Sequence, residues 1–234
     1  MLNTSTTGSR FIARIFLTLC LFFLVINACT IVPDDDTQNG SQGKSGEKEK
    51  LDIYFVSDDF KPDEYARNIW KSKVVPLFME KSTPLEQILP DWHQNSAEAG
   101  RKFGYREKAE GSPWNFRVRG KGIILAAHTT SRASTVDIDL FPADGTPDLV
   151  LQIGPVFKDS AIRDSLDFIS FTDFTNQLEF ARLSNAFNKV VRQDVTGNLD
   201  RENLKGRQVS FWGAFTQLQD SDQIRVTPVV LTIE

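Results

Sequence analysis

The chain has 234 residues, 25% of them charged and 40% apolar, with 31 acidic against 27 basic side chains. That ordinary composition excludes wholesale disorder and a multispanning membrane protein. The acidic balance argues against a nucleic-acid partner, which requires a basic face to neutralise phosphates.

The first residues read as an export signal. Arg10 and Arg14 form a positive start with no acid before them, and Ile15 to Ile26 is a nearly unbroken apolar run, the length of a secretory leader and short for a transmembrane helix. An uncleaved anchor helix is the alternative. The run ends in Val25-Ile26-Asn27-Ala28-Cys29, which resembles the bacterial lipobox: an aliphatic residue three before the cysteine, a small one just before it, and a thiol to carry the thioether-linked lipid. Cleavage before Cys29 removes Arg10 and Arg14 and no acid, moving the formal charge from −4 to −6, and also removes Cys20. A mature domain then has no second cysteine with which to form a disulfide. Acyl chains such as palmitate on Cys29 anchor firmly, at about 0.8 kcal/mol per buried methylene. The expected location is therefore the periplasmic face of a bacterial membrane, and Thr30, where Asp would mark inner-membrane retention, favours the outer one.

Pro33 to Lys50 (PDDDTQNGSQGKSGEKEK) has no aliphatic or aromatic residue. It cannot build a core and reads as a flexible tether, holding the domain on the order of 20–25 Å from the lipid. The chain thus divides into a leader (1–28), the lipidated cysteine and tether (29–50), a helical segment packed on a barrel (51–110) and the barrel domain (111–234).

From Asp58 to Gly104 the pattern is helical. Pro62 suits a first turn, and Tyr65, Ile69, Trp70, Val74, Leu77 and Phe78 recur at helical spacing, with a break or kink implied by Pro76. Thr83-Pro84-Leu85-Glu86 is a second start signal with Thr83 as its cap, and a third helix is expected from Asn95 to Lys102, closed by Gly104. Trp70 and Trp92 are read as core aromatics, and His93 has no partner motif nearby.

From Trp114 the apolar period becomes two. Trp114, Phe116, Val118, Gly120, Gly122, Ile124 and Ala126 define a long strand whose glycines permit strong bending. Val136, Ile138 and Leu140 define a second, turned by Pro142-Ala143-Asp144-Gly145, and Leu149, Leu151 and Ile153 a third. A Phe-rich stretch follows, then a helix starting near Phe174 with Asp173 as its natural cap and an apolar face through Leu178, Leu183, Phe187 and Val191. Val209 to Phe215 and Ile224 to Ile233 supply the last two strands. Three strands, a helical insert and two strands, the first long and bent, is the order of an OB-like five-stranded antiparallel β-barrel in an α+β chain. An open antiparallel sheet covered by the same helix would read almost identically.

The chemistry-bearing residues are sparse. Asp137 and Asp139 share a strand face, Asp164 and Asp167 lie about one helical turn apart, and Asp173 follows, so a carboxylate pair for hydrolysis is conceivable through Asp137, Asp164 or Asp173. Caps and solvent-facing acids account for the same residues. His93 and His128 are isolated, so neither a metal nor a cofactor is expected, and no nucleophile elbow, phosphate loop or dinucleotide fingerprint is present. The best candidates for ligand or partner recognition are Arg163, Asp164, Asp173, Asn176 and Gln177, polar groups set among Phe171, Phe174 and Leu178. Structural pairing, Arg163 with Asp167 or Asp173, is the alternative.

Several stretches also resemble a known family. Gly111 to Phe116, Gln152-Ile153-Gly154-Pro155-Val156, Ala161 to Ile169, Asp173-Phe174-Thr175-Asn176-Gln177 and Gly213-Ala214-Phe215 are similar to an uncharacterised family of predicted bacterial periplasmic lipoproteins, often encoded beside sugar ABC-transporter genes. The resemblance runs from about Ile53 to the C-terminus and is most specific from Gln152 to Gln177. It implies an envelope location and a link to solute uptake, and it assigns no catalytic residue. Two functions stay open: a membrane-anchored, non-enzymatic binding or adaptor module for a protein or small sugar-like solute near a transporter, and a lipid-anchored hydrolase.

Overall fold

The computed structural model describes residues 60–107, 112–157, 159–218 and 223–234. All of them belong to the second of the two units into which the chain divides, Asp52–Glu234. The leader, Cys29 and the tether lie outside the described residues.

Pro62 opens helix α1 (Pro62–Ile69), where its missing N–H leaves no bond unmade. A π turn (Trp70–Val74) joins α1 to α2 (Val75–Lys81), and Pro76 occupies the first turn of α2. The break that Pro76 imposes by lacking a donor is therefore taken up as a widened turn just before it. Thr83 does not cap the next helix. Thr83–Pro84 form a short strand β1, parallel to the long strand that follows, and the helix after it begins at Leu85 with no side-chain cap. Pairing with a neighbouring strand holds Thr83 extended. Helix α3 (Leu85–Gln94) leads into α4 (Ser96–Phe103), which Asn95 caps by accepting from the Ala97 and Glu98 amides at 3.0 and 3.2 Å.

The strands follow: β2 (Asn115–His128), β3 (Thr135–Leu140), β4 (Leu149–Gln152), β5 (Gln208–Thr216) and β6 (Arg225–Ile233). Between β4 and β5 lie a short helix α5 (Ala161–Asp164), a 3-10 turn (Phe171–Asp173) and helix α6 (Gln177–Val190), which ends in a π turn (Val191–Val195). Asp173 is not the cap of α6. Asn176 is, its Oδ1 accepting from the Glu179 amide at 2.9 Å, while the Asp173 carboxylate turns back to accept from the Ser170 amide at 2.9 Å and closes a capping box there.

The sheet order β1-β2-β3-β4-β6-β5, with β2 also paired to β5, closes a five-stranded barrel and rules out the open sheet. The long first strand makes closure possible: its first part, to Ile123, pairs with β5, and from Gly122 onward it pairs with β3. Gly122 is where the two pairings overlap, and a Cβ there would collide with the Asp139 carbonyl. The barrel is not wholly antiparallel. β4 and β6 run parallel, joined at Val150↔Arg225 and Leu151↔Val226, because the helical crossover brings the chain back as β5, antiparallel to β2, and β6 then reverses it beside β4.

Two apolar clusters flank the barrel wall. Alternate residues of the strands, Phe116, Val118, Ile138, Leu151, Phe211 and Val226 among them, fill the interior. Trp92 of α3 sits edge-on to Phe116 and Phe215, which stack 4.5 Å apart. The second cluster lies outside, where α1, α2, α5 and α6 cover Ala214 and Val229. Trp70 is 4% and Trp92 3% exposed, so both serve as core.

Candidate functional site

Two adjoining clefts open where the segment before β2 faces the stretch after α5. The larger has a volume of about 850 Å³ and is lined by Tyr105, Glu107, Asp167, Phe168, Phe171 and Asp173, among others. The smaller, about 230 Å³, shares Tyr105, Glu107, Ser112 and Ile169 with it and adds Arg163, Asp164 and Phe180.

Each wall has a local cause. Tyr105 is fixed by a reciprocal backbone pair with Asn115, at 2.7 and 2.8 Å, just as β2 begins. On the opposite wall the capping box shapes the turn from Ser170 to Asp173 and leaves Phe168 and Phe171 partly in solvent, 37% and 40% exposed. Glu107 ties the walls together, accepting from the Ser170 hydroxyl and from the Phe171 amide at 3.3 Å. Arg117, on the outer face of β2, donates to the Ser165 carbonyl at 2.6 Å and lies 3.5 Å from Asp167, which also pairs with Lys81. Burial, then the Glu107 and Asp167 charges, push the Tyr105 phenol above its ordinary value, with Arg117 opposing. It stays a neutral donor and acceptor at physiological pH.

The sequence-selected residues divide into three groups. Arg163 and Asp164 line the smaller cleft and are bound to each other: the Arg163 Nε donates to Asp164 Oδ1 at 2.7 Å, and Nη1 donates to the Phe180 carbonyl at 2.9 Å. The guanidinium also lies 3.6 Å from the centre of the Phe180 ring. Arg163 therefore pairs with its neighbour Asp164, not with Asp167 or Asp173. Asp173 lines the larger cleft, but its carboxylate is engaged at Ser170. Asn176 and Gln177 line neither cleft: Asn176 is the buried cap of α6 and Gln177 is exposed in its first turn.

The carboxylates of the hydrolase reading each have a separate partner. Asp137 meets His128 Nε2 at 2.8 Å. Asp139 is buried and accepts from the Asp144 and Gly145 amides at 3.2 and 2.7 Å, fastening the turn after β3. Asp164 also receives the Ser160 hydroxyl. Among the described residues no group of three or more His, Cys, Asp or Glu is arranged to hold a metal ion, and no helix is long and apolar enough to cross a membrane.

Sequence reasoning missed two features. Tyr105, Glu107, Phe168 and Phe171 come together only in three dimensions; Glu107 lies in an aperiodic connection that offers no local signal. The other is a buried polar cluster beside the β4–β6 seam. Asp159 accepts from the Thr227 hydroxyl at 2.9 Å, from the Gln152 amide and from the Ala161 N–H at 3.3 Å, and burial pushes its carboxyl above the ordinary carboxylate range despite these bonds. Gln152 falls within the most family-like stretch, which was the one clue the chain offered.

Barrel topology, parallel seam and crossover helix define an OB-type fold. An OB-fold protein from Thermotoga maritima, solved by crystallography, matches with a TM-score of 0.62 over 75% of this chain and 99% of that one, at 20% identity, a likeness that speaks for the fold. The family described as "predicted periplasmic lipoprotein (DUF2291)" matches residues 19–232, and the chain belongs to it. No curated protein matches the sequence.

Proposed function

We propose that this protein is a lipid-anchored, non-enzymatic binding module of the periplasm that takes a sugar-like solute in the paired clefts. The observation that carries the reading is the lining: partly exposed Phe168 and Phe171 and the neutral Tyr105 phenol stand beside Glu107, Asp167 and Asp173. Aromatic faces cover the apolar faces of a pyranose ring, and carboxylate lone pairs not used internally accept its hydroxyls. The volumes suit a small ligand of one or two rings. The carboxylates of the clefts are each engaged within the protein, Glu107 at Ser170 and Phe171, Asp167 with Lys81 and Arg117, Asp173 at Ser170 and Asp164 with Arg163. That favours binding over acid–base hydrolysis by a free pair of carboxyls flanking one bond. The setting we propose is beside a sugar transporter, near whose genes members of the family are often encoded, where such a module would deliver or sense solute.

The test is calorimetric titration of the purified lipidated protein, in detergent, with a panel of mono- and disaccharides, repeated on Phe168→Ser and Phe171→Ser. Binding of at least one sugar, weakened about tenfold or more in both variants with melting temperature retained, is the expected result. Sugar binding untouched by either change, or none across the panel with a copurifying protein bound at the same residues, would overturn the solute reading.

A further inference from the structure

On another face, α6 and the start of α1 form an open groove of about 680 Å³ with the turn at Pro155–Phe157. Its lining is strongly cationic for so acidic a chain: Lys61, Arg182, Lys189 and Arg192 stand against a single carboxylate, Asp63. The cations are set by helix geometry. Arg182, Asn185 and Lys189 lie three and four residues apart, one stripe along α6, and Arg192 continues it into the π turn. Lys189 pairs with Asp63, and Arg192 leans on the Pro155 carbonyl at 3.4 Å, whereas Arg182 and Asn185 face solvent. Val156, 36% exposed, and the partly buried Phe157 and Phe60 supply an apolar rim.

We infer that this groove seats the anionic phospholipid headgroups of the membrane that carries the chain's own anchor, so that the domain rests on the bilayer by this face. The inference relies on the lipid-anchored reading and is independent of the solute clefts. Three observations support it. The array is open and predominantly cationic, four cations against Asp63, which suits a surface of phosphates better than one enclosed anion. Its rim has aromatic and aliphatic side chains of the kind that settle at the headgroup boundary. Finally, Phe60 and Lys61, the first described residues of the domain, are themselves part of the lining. The tether before the domain reaches on the order of 20–25 Å, so the groove meets the membrane at an effective concentration near millimolar. At that concentration about fivefold in partition per basic residue is sufficient to hold it down.

The experiment uses the lipidated protein in nanodiscs of phosphatidylcholine, with or without phosphatidylglycerol, after mass spectrometry has verified the acylated N-terminus. An Asn185→Cys variant carries a fluorophore in the groove, and headgroup-spin-labelled lipid is the quencher. We expect quenching several-fold stronger with phosphatidylglycerol, lost in Lys189→Glu/Arg192→Glu and kept in the charge-matched Lys121→Glu/Lys205→Glu. Dissolved glycerol phosphate should not relieve it. Equal quenching in both lipids, equal loss in both double variants, or relief by glycerol phosphate would each overturn the proposal, the last by making the groove a site for a soluble anion. Should the groove variant fail to fold, salt titration of the labelled protein gives the same decision, since exposed charges are screened beyond about 10 Å at 0.1 M: quenching that persists at high salt refutes the electrostatic seat. Sugar titration of the same groove variant is expected to be unchanged, which keeps the two readings separable.

Discussion

Arg163 is 11% exposed at its side chain and satisfies Asp164, the Phe180 carbonyl and the Phe180 ring together. Replacing it with alanine strands a half-buried carboxylate and a carbonyl. Arg163→Ala should therefore cost on the order of 1–3 kcal/mol, Asn176→Ala about 1 kcal/mol by loss of the α6 cap, and Gln177→Ala less than about 0.5 kcal/mol. Chemical denaturation of the three variants checks the ranking, and an Arg163→Ala protein as stable as Gln177→Ala would refute the clamp. Asp159 gives a pH prediction. Its carboxyl titrates higher when folded than when unfolded, so between the two values the folded state holds the extra proton. Its contribution is complete below the unfolded value and is lost as pH rises through the folded one. Melting temperature followed with pH rising through and above the ordinary carboxylate range should show this decline in the native chain and a flatter profile in Asp159→Asn; parallel profiles would assign the slope to other groups.

Long β2 does the architectural work, serving β5 with one part and β3 with the other. Gly122→Ala would place a methyl against the Asp139 carbonyl and the Leu140 backbone, and the expected cost is about 1–3 kcal/mol of overpacking. Gly145 is a useful contrast: its φ is +90°, and a methyl added there would meet open space, so alanine costs about 1 kcal/mol through backbone conformation alone. Circular dichroism melts of both variants, with Gly122→Ala the lower, test this. Strands were more legible than helix ends for a physical reason. Period-two alternation repeats over many residues, as from Phe116 to Ile124, whereas a cap depends on one backbone angle: Thr83 has cap chemistry but is drawn into β1, and Asn176 displaces Asp173 because the latter is already used at Ser170.

At the scale of the molecule, the order of strands around a helical insert was legible, while closure, which the β2–β5 pairing decides, and the clefts were not. Arg163 and Asp164 stood out as polar residues among aromatics and do line the smaller cleft, but Tyr105 and Glu107 reach it from some sixty residues upstream, a distance that no periodic pattern spans. For the anchor, Cys29→Ser should abolish acylation and leave an uncleaved or soluble precursor, read by fatty-acid labelling and N-terminal mass; equal labelling of the variant would end the lipidation reading.

The parallel seam has a consequence for how the barrel assembles. β2, β3 and β4 are joined by short connections and can pair as a meander soon after they meet, but β4 and β6 share only the pairs at Val150 and Leu151, with partners some seventy-five residues later in the chain. Loop-closure entropy slows the β2–β5 pairing as well, whose partners lie still further apart in the chain, but a two-pair junction has little cooperativity to form early or to stay shut. The seam should close last on refolding and breathe first in the native state. Amide hydrogen exchange should accordingly be fastest, among the barrel's buried backbone, at Val150, whose N–H crosses to the Ile224 carbonyl, and slowest along the nine-residue ladder of β2 and β5.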